Sequence, residues 1–321
     1  MKYAVTDFTQ VGELIEQVTR LQNTAFAEYE GAIEIDQAFM DWYLKRPGTD
    51  LTMCQAAVDR GTLVSQVLVC EQPLQLGGAT FQCGIIDSVA TDPEHRKQGL
   101  ARDLMERAHE AMMDAALDAA VLYTNPDDHP YAFYRRLGYE ERARASMLIG
   151  RRAGESGCGA EPVDAKQQAD GLRALLNDYY IGHEGFSPLS EEFWAWHKIE
   201  APASPTVVAE LAGSGPISTA TFADAPVRIE GQEHGVSMAY DLAATVMNED
   251  EFGSLLSVAP REMVGLILDD DSPERQWAGA LGFEPRVSEA AMVLPFTHDA
   301  EVALQEHGGP WYVMIESVVG V

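Results

Sequence analysis

Two tandem copies of one α/β unit are what this 321-residue sequence predicts, and three observations carry that prediction. Along the first half, apolar residues recur every second position in some stretches and every third or fourth in others, in the order β–α–α–β–β–β–α–β–α–β. The second half repeats landmarks of the first. Ile35-Asp36-Gln37-Ala38-Phe39-Met40-Asp41-Trp42 resembles Leu189-Ser190-Glu191-Glu192-Phe193-Trp194-Ala195-Trp196, with the Phe pair and the Trp pair both 154 residues apart (193 − 39). Leu137-Gly138-Tyr139-Glu140 returns as Leu281-Gly282-Phe283-Glu284 after 144 residues (281 − 137), so a duplicated domain is expected. Composition agrees: 46% hydrophobic and 23% charged residues describe a globular chain long enough for two domains.

Element by element, Tyr3-Ala4-Val5 reads as a short strand and residues 11–26 as a helix. A second helix covers 36–44, started by Asp36 as its N-cap. Strands follow over 52–58, 62–70 and 80–91, and Asp59-Arg60-Gly61 turns the first two into a hairpin. Leu100, Leu104, Met105, Ala108 and Met112 share one face of a long helix. Residues 119–124 form a buried strand, Asn125-Pro126-Asp127-Asp128 a turn, and a helix through Tyr131 leads to a last strand over 143–149. Residues 153–166, rich in Gly, Ala and charge, read as a linker between domains at 1–152 and 167–321. Trp311-Tyr312-Val313-Met314-Ile315-Glu316 reads as a strand at a sheet edge.

The chemistry concentrates after the strand carrying Ile85, Ile86 and Val89. That strand ends at Thr91-Asp92-Pro93, and a basic loop, Arg96-Lys97-Gln98-Gly99-Leu100-Ala101, opens directly into a helix. Such a loop is an anion site, because its backbone N–H groups and the positive end of the helix dipole converge. Gly99 lets the backbone approach a ligand, and Ala101 is too small to block it.

Arg96-x-x-Gly99-x-Ala101 resembles the Q/R-x-x-G-x-G/A signature of the GNAT superfamily of acyl-CoA-dependent N-acyltransferases, whose loop holds the coenzyme A pyrophosphate. About thirty-five residues later, 131–140 (YAFYRRLGYE) resembles the family's F-Y-x-x-x-G-F/Y helix, with the right elements between. The resemblance implies a mixed, twisted sheet with helices on both faces in each half, and acetyl-CoA as the acyl donor. It assigns cofactor contacts to Val89, Ala90 and Thr91 beside a splayed strand, to Arg96, Lys97, Gln98, Gly99, Leu100, Ala101 and Arg102 around the phosphates, and to Asn125. It makes Tyr134 the proton donor to the departing thiolate, a role a phenol suits because it stays protonated at neutral pH.

The copies differ. Where the first carries its basic loop the second runs Glu249-Asp250-Glu251, which repels a pyrophosphate, and Ala278 stands at the position of Tyr134. The second half is therefore expected to be a degenerate copy without a cofactor site. Tandem GNAT proteins of the enhanced-intracellular-survival type look similar over about the first 290 residues.

Other residues keep two readings. Tyr134 also fits as a core tyrosine. Asp87, on the strand face of Val89, serves either as general base or as a structural carboxylate. Glu28 and Glu30 sit where related enzymes contact substrate, or are solvated loop charges; His129 is a base or a helix-end residue. His183 and His197 lack metal-ligand spacing, Asp269-Asp270-Asp271 lacks the spaced oxygens of a calcium loop, and Trp42, Trp194 and Trp196 suit a core, so no metal is expected.

A net charge of −29, from 51 acidic and 22 basic residues, argues against nucleic acid as partner. It reads as a solubilising surface, or as a field that attracts a cationic amine. No apolar run is long enough to span a bilayer, MKYAVTDFTQ lacks a signal-peptide pattern, and Cys54, Cys70, Cys83 and Cys158 show no C-x-x-C spacing, so a cytoplasmic location without membrane attachment is expected. A homodimer stays open. The sequence thus points to transfer of an acetyl group from acetyl-CoA to a primary amine of a small molecule or peptide. The alternative is an acyl-CoA-binding sensor without turnover.

Overall fold

A computed structural model of the chain describes residues 3–27, 34–152, 154, 159–213, 215–229, 232–305 and 309–315. Glu28, Glu30, Cys158 and Glu316 lie outside these. The first half follows the predicted order: β1 (Ala4–Asp7), α1 (Leu14–Phe26), α2 (Gln37–Tyr43), β2 (Gln55–Asp59), β3 (Thr62–Leu76), β4 (Ala79–Thr91), α3 (Leu100–Asp114), β5 (Ala119–Thr124), α4 (His129–Arg136) and β6 (Glu140–Arg151). Local chemistry sets the boundaries. The Asp36 carboxylate accepts the Phe39 N–H at 2.8 Å and starts α2. Asp59 faces Thr62 across a two-residue turn in which Arg60 and Gly61 both have positive φ (51° and 87°), so β2 and β3 keep the twist of a tight hairpin.

The second half repeats this series as β7 (Glu161–Pro162), α5 (Ala169–Tyr180), α6 (Glu191–Trp194), β8 (Thr206–Ala212), β9 (Gly215–Ile229), β10 (Gln232–Ala244), α7 (Glu249–Ser257), β11 (Met263–Asp269), α8 (Pro273–Ala280) and β12 (Glu284–Pro295), followed by α9 (His298–Ala303). Strand β7 lies within the stretch read as a linker and pairs with β8.

All twelve strands join one mixed sheet in the order β1-β2-β3-β4-β5-β12-β6-β11-β10-β9-β8-β7. Read from either end, corresponding strands appear in the same sequence, with one exchange. The last strand of each half crosses into the other: β12 pairs with β5, and β6 pairs with β11. Where β6 and β12 meet, Ala145 faces Glu289, its own counterpart 144 residues on (289 − 145), so an approximate two-fold axis passes through that pair. A second contact on the axis joins the helices. Trp42 and Trp196 stack at 4.4 Å, and each indole N–H donates to the other's carbonyl oxygen at 2.9 Å. Sequences repeated 154 residues apart are thereby closed against each other, and both indoles satisfy their donors in a dry interior.

The sheet is covered on both sides. One face of β4, β5 and β12 (Ile86, Ala120, Leu122, Ala290, Met292) packs against α1, α2 and α3. The other (Ile85, Val121, Ala291, Val293) packs against Leu304, Trp311 and Met314. The segment through Trp311, expected as an edge strand, makes a single bridge to Glu184 and docks instead as an irregular strap. Its backbone is satisfied individually: the Trp311 N–H donates to Asp269 Oδ2 at 2.6 Å, and Tyr312 N–H to the Glu184 carbonyl at 2.7 Å.

Candidate active site

Strands β4 and β5 are parallel and pair over only four residues, from Cys83–Ala119 to Ile86–Leu122. Beyond that point β4 stays with β3 while β5 stays with β12, so the two neighbours part and a cleft opens between them. A bulge helps: the β3–β4 register slips between Leu68–Asp87 and Gln66–Ala90, and Ser88 between them takes φ 47°. A non-glycine residue in the left-handed region is a strained conformation of the kind found at binding clefts. Val89 and Thr91 line the freed end of the strand; Ala90 is buried, and the Ser65 hydroxyl accompanies Thr91 Oγ1 at 2.8 Å.

At the cleft's end stands α3. Gly99, with φ 84°, precedes it and no side chain caps the helix, so the N–H groups of Leu100, Ala101 and Arg102 point out of its first turn. A Cβ on Gly99 would meet nothing within 4 Å, so the glycine is there for its φ and for open approach. The expected cations divide. Arg96 turns inward, its Nε donating to the Thr91 carbonyl at 3.2 Å and its NH2 group to the Ala25 carbonyl at 2.8 Å; it ties the loop to β4 and α1. Arg102 pairs with Glu106 on the helix surface, while Lys97, with φ 61°, is exposed in the loop beside Gln98. Lys97 and the helix terminus thus face solvent, while Arg96 keeps its charge but points at the backbone of β4 and α1.

Tyr134 sits on the inner face of α4, only 7% exposed, with its ring 6.0 Å from Tyr139. Tyr139 in turn meets the His109 Nε2 at 2.8 Å, and burial pushes that imidazole down to about 4, so it stays neutral. Asn125 follows β5 and closes the turn into α4, its Oδ1 accepting the Asp127 N–H at 2.9 Å. His129 is exposed at the start of α4.

Asp87 is not an open carboxylate. Its Oδ2 accepts the Tyr43 hydroxyl at 3.0 Å and the Arg46 NH1 group at 3.2 Å, with the Asp87 and Arg46 side chains 5% and 1% exposed. Taking a proton would strand a buried guanidinium, a loss on the order of 3–5 kcal/mol, so the geometry favours an anchor over a base. Arg46 also lies over the rings of Phe193 and Trp196, at 5.9 and 5.8 Å, and so links the cleft wall to the second half. Tyr43 and Arg46 carried no signal in the sequence, where Arg46 reads as a loop charge just past a helix.

The second half has the same parting and bulge: β10 and β11 pair over three residues, and Asp241 takes φ 50° where the register slips. The contents differ. Lys198 pairs with Asp241 at 2.7 Å, both side chains within 2% of full burial, and Tyr312 of the strap donates to Asp241 at 2.6 Å. Asn248 caps α7 by accepting the Glu251 N–H at 3.0 Å, and Glu249, Asp250 and Glu251 fill its first turn.

Comparison with known proteins fits this geometry. Residues 11–142 match the family model described as acetyltransferase (GNAT) domain. No curated protein matches in sequence. Among solved structures, Saccharomyces cerevisiae N-myristoyltransferase with bound myristoyl-CoA and inhibitors superposes with TM-score 0.73 at 11% identity, over 98% of this chain and 86% of that one. A GCN5-related N-acetyltransferase from Anabaena variabilis ATCC 29413 gives 0.65 at 14%, over 91% and 72%. A conserved protein from Enterococcus faecalis V583, described as a probable N-acyltransferase, gives 0.65 at 14%, over 92% and 72%. At these identities the structures share the fold.

Proposed function

With a GNAT domain over residues 11–142, we propose that the protein transfers an acetyl group from acetyl-CoA to a primary amine of a small molecule or peptide, using the first half's cleft. The observation that carries this reading is the uncapped N-terminus of α3, with Gly99 open above it, at the end of the parted β4 and β5. The first-turn N–H groups and Lys97 suit the pyrophosphate of coenzyme A, and the unpaired edge of β4 at Val89 and Thr91 suits its amide arm. The choice of an acetyl donor rests on the description of the matching family model, acetyltransferase.

The bound thioester supplies an activated acyl carbon. The chain's residues do the rest. The freed β4 edge holds the carbonyl so that an amine reaches its carbon from the face of the thioester plane, and Asp87, clamped by Tyr43 and Arg46, fixes the strand in place. Tyr134 delivers its phenolic proton to the departing sulfur. Phe133 and Tyr139 pack against its ring, and a phenol carries its proton at neutral pH. The acidic surface draws a cationic acceptor toward the cleft.

Release of free thiol from acetyl-CoA, followed across a panel of primary amines, tests the reading. Amine-dependent thiol release with formation of the acetylated amine is expected. Coenzyme A binding with no transfer to any amine would favour a sensor without turnover.

A further inference from the structure

The strand exchange places one residue that neither half's own motifs contain. On β12, Ala290 pairs with Thr124, the last residue of β5, so Glu289 stands one step further, level with Asn125. The symmetric register is explicit in the other half, where Ala145 of β6 pairs with Asp269, the counterpart of Asn125. Glu289 is therefore one strand, about 5 Å, from the line along which β4 and β5 part. By strand alternation it shares the face of Ala291 and Val293, opposite the face on which Tyr134 packs with Ala290 and Met292. Its partner across the axis is Ala145, which leaves room beside it. The carboxylate is half-buried and makes no hydrogen bond or ion pair among the described residues. Asp269, by contrast, is committed to the N–H groups of Trp311 and Asp271.

Resting on the acyltransfer reading above, we propose that Glu289 is the general base that takes a proton from the acceptor's ammonium group. Proton donor and proton acceptor then flank the cleft from opposite faces of the sheet. The ammonium gives one proton to Glu289 Oε, which passes it to solvent. The freed nitrogen lone pair forms the bond to the acyl carbon, and the C–S bond breaks as Tyr134 protonates sulfur. The second proton lost by nitrogen restores the phenol, leaving amide, free thiol and one proton in solution.

Environment supports the role. Burial, reinforced by Asp128 at the start of α4, raises the Glu289 carboxyl to about 7, where a base is half-available at neutral pH. Other charged neighbours are spoken for: Arg144 projects from the opposite face of β6 and is held by Glu141, and Asp269 lies across β6. Tyr123 on β5 is bonded to the strap.

The test compares two nucleophiles with acetyl-CoA: n-butylamine, an ammonium ion at neutral pH, and hydroxylamine, already a neutral nucleophile there. Glu289→Gln is expected to lower kcat/KM for n-butylamine about 10²–10³-fold and to abolish the fall in rate below about pH 7. Hydroxylamine transfer, the melting temperature and coenzyme A affinity should stay near wild type. Glu289→Ala, which copies the Ala145 found at the symmetric position, should behave alike. Unchanged n-butylamine rates and pH profile in both variants would overturn the base assignment alone, as would a wild-type protein that acylates hydroxylamine but not n-butylamine. A wild-type protein that acylates neither would overturn the acyltransfer reading with it.

Discussion

The first turns of α3 and α7 occupy corresponding places, each following a bulged central strand whose parallel neighbour has parted from it. In α3 a glycine precedes the helix, no side chain caps it, and its N–H groups stay available. In α7 Asn248 takes one N–H and three carboxylates sit over the dipole. A cap and acidic first-turn residues each contribute about 1 kcal/mol to starting α7, whereas α3 forgoes the cap. Only α3 leaves an anion site. The second half has the same bulge and parting, and internal contacts, Lys198 to Asp241 and Tyr312 of the strap to Asp241, occupy that place. What it supplies in exchange is support: Phe193 and Trp196 beside Arg46, and β12 beside β5.

The sharpest way to break this contrast is at the α4 and α8 positions. Tyr134→Phe keeps the ring contacts and is expected to retain cofactor affinity while turnover falls roughly 10²–10⁴-fold; Ala278→Tyr should create no activity in the second half, and because Ala278 is fully buried it is expected to lower stability by about 1–3 kcal/mol. Turnover that survives in Tyr134→Phe with a good amine would make Tyr134 a packing residue and the two helices equal.

Next comes the axis. Trp196→Ala removes a stacked indole and the N–H it donates to the Trp42 carbonyl, a loss of about 3–5 kcal/mol measurable by urea unfolding. A loss under about 1 kcal/mol, the scale of a surface change, would show that the halves do not depend on this contact.

A third test exploits pH. His109 is buried neutral, its imidazole pushed down to about 4, while the unfolded chain titrates near its ordinary value. As pH falls below about 6.5 the unfolded state gains a proton the folded state refuses, so stability drops until about pH 4, by about 3 kcal/mol in total. His109→Gln should flatten that part of the pH–stability curve. Phe283 occupies the place of Tyr139 in the second half, so the slope is assigned to the first half; an unaltered slope in the variant would refute that assignment.

Gly99→Glu brings the second half's chemistry to the first. Loss of two charge-assisted contacts corresponds to about 3 kcal/mol or more, a coenzyme A affinity at least about 100-fold weaker. Unchanged affinity would remove the loop from the binding site.

Much of this comparison was legible in the sequence because it is local. Glycine at 99, three acids at 249–251 and the repeated Phe-x-x-Trp segments need no tertiary knowledge. The parting of β4 from β5 and the burial of Tyr134 follow from element order once the resemblance is granted. What was hidden depends on contacts distant in sequence. Strand 119–124 pairs with residues 290–295, about 170 positions away (290 − 124 = 166), and alternation alone cannot choose that partner over β6. Asp87 reads as a base only while Arg46 is unseen. The apolar residues Trp311, Val313 and Met314 have the pattern of a strand, yet Asp269 and Tyr123 supply partners that make a strap the better solution. Arg96 reads as a phosphate ligand by its type, and only the fold shows carbonyl oxygens within its reach.

Built from two copies, the molecule is expected to carry a single anion site. Titration calorimetry of the full chain with coenzyme A measures it directly. One site per chain is expected, lost in Gly99→Glu and untouched by Asn248→Ala. Two equivalent sites, or a single site that persists in Gly99→Glu and disappears in Asn248→Ala, would contradict it.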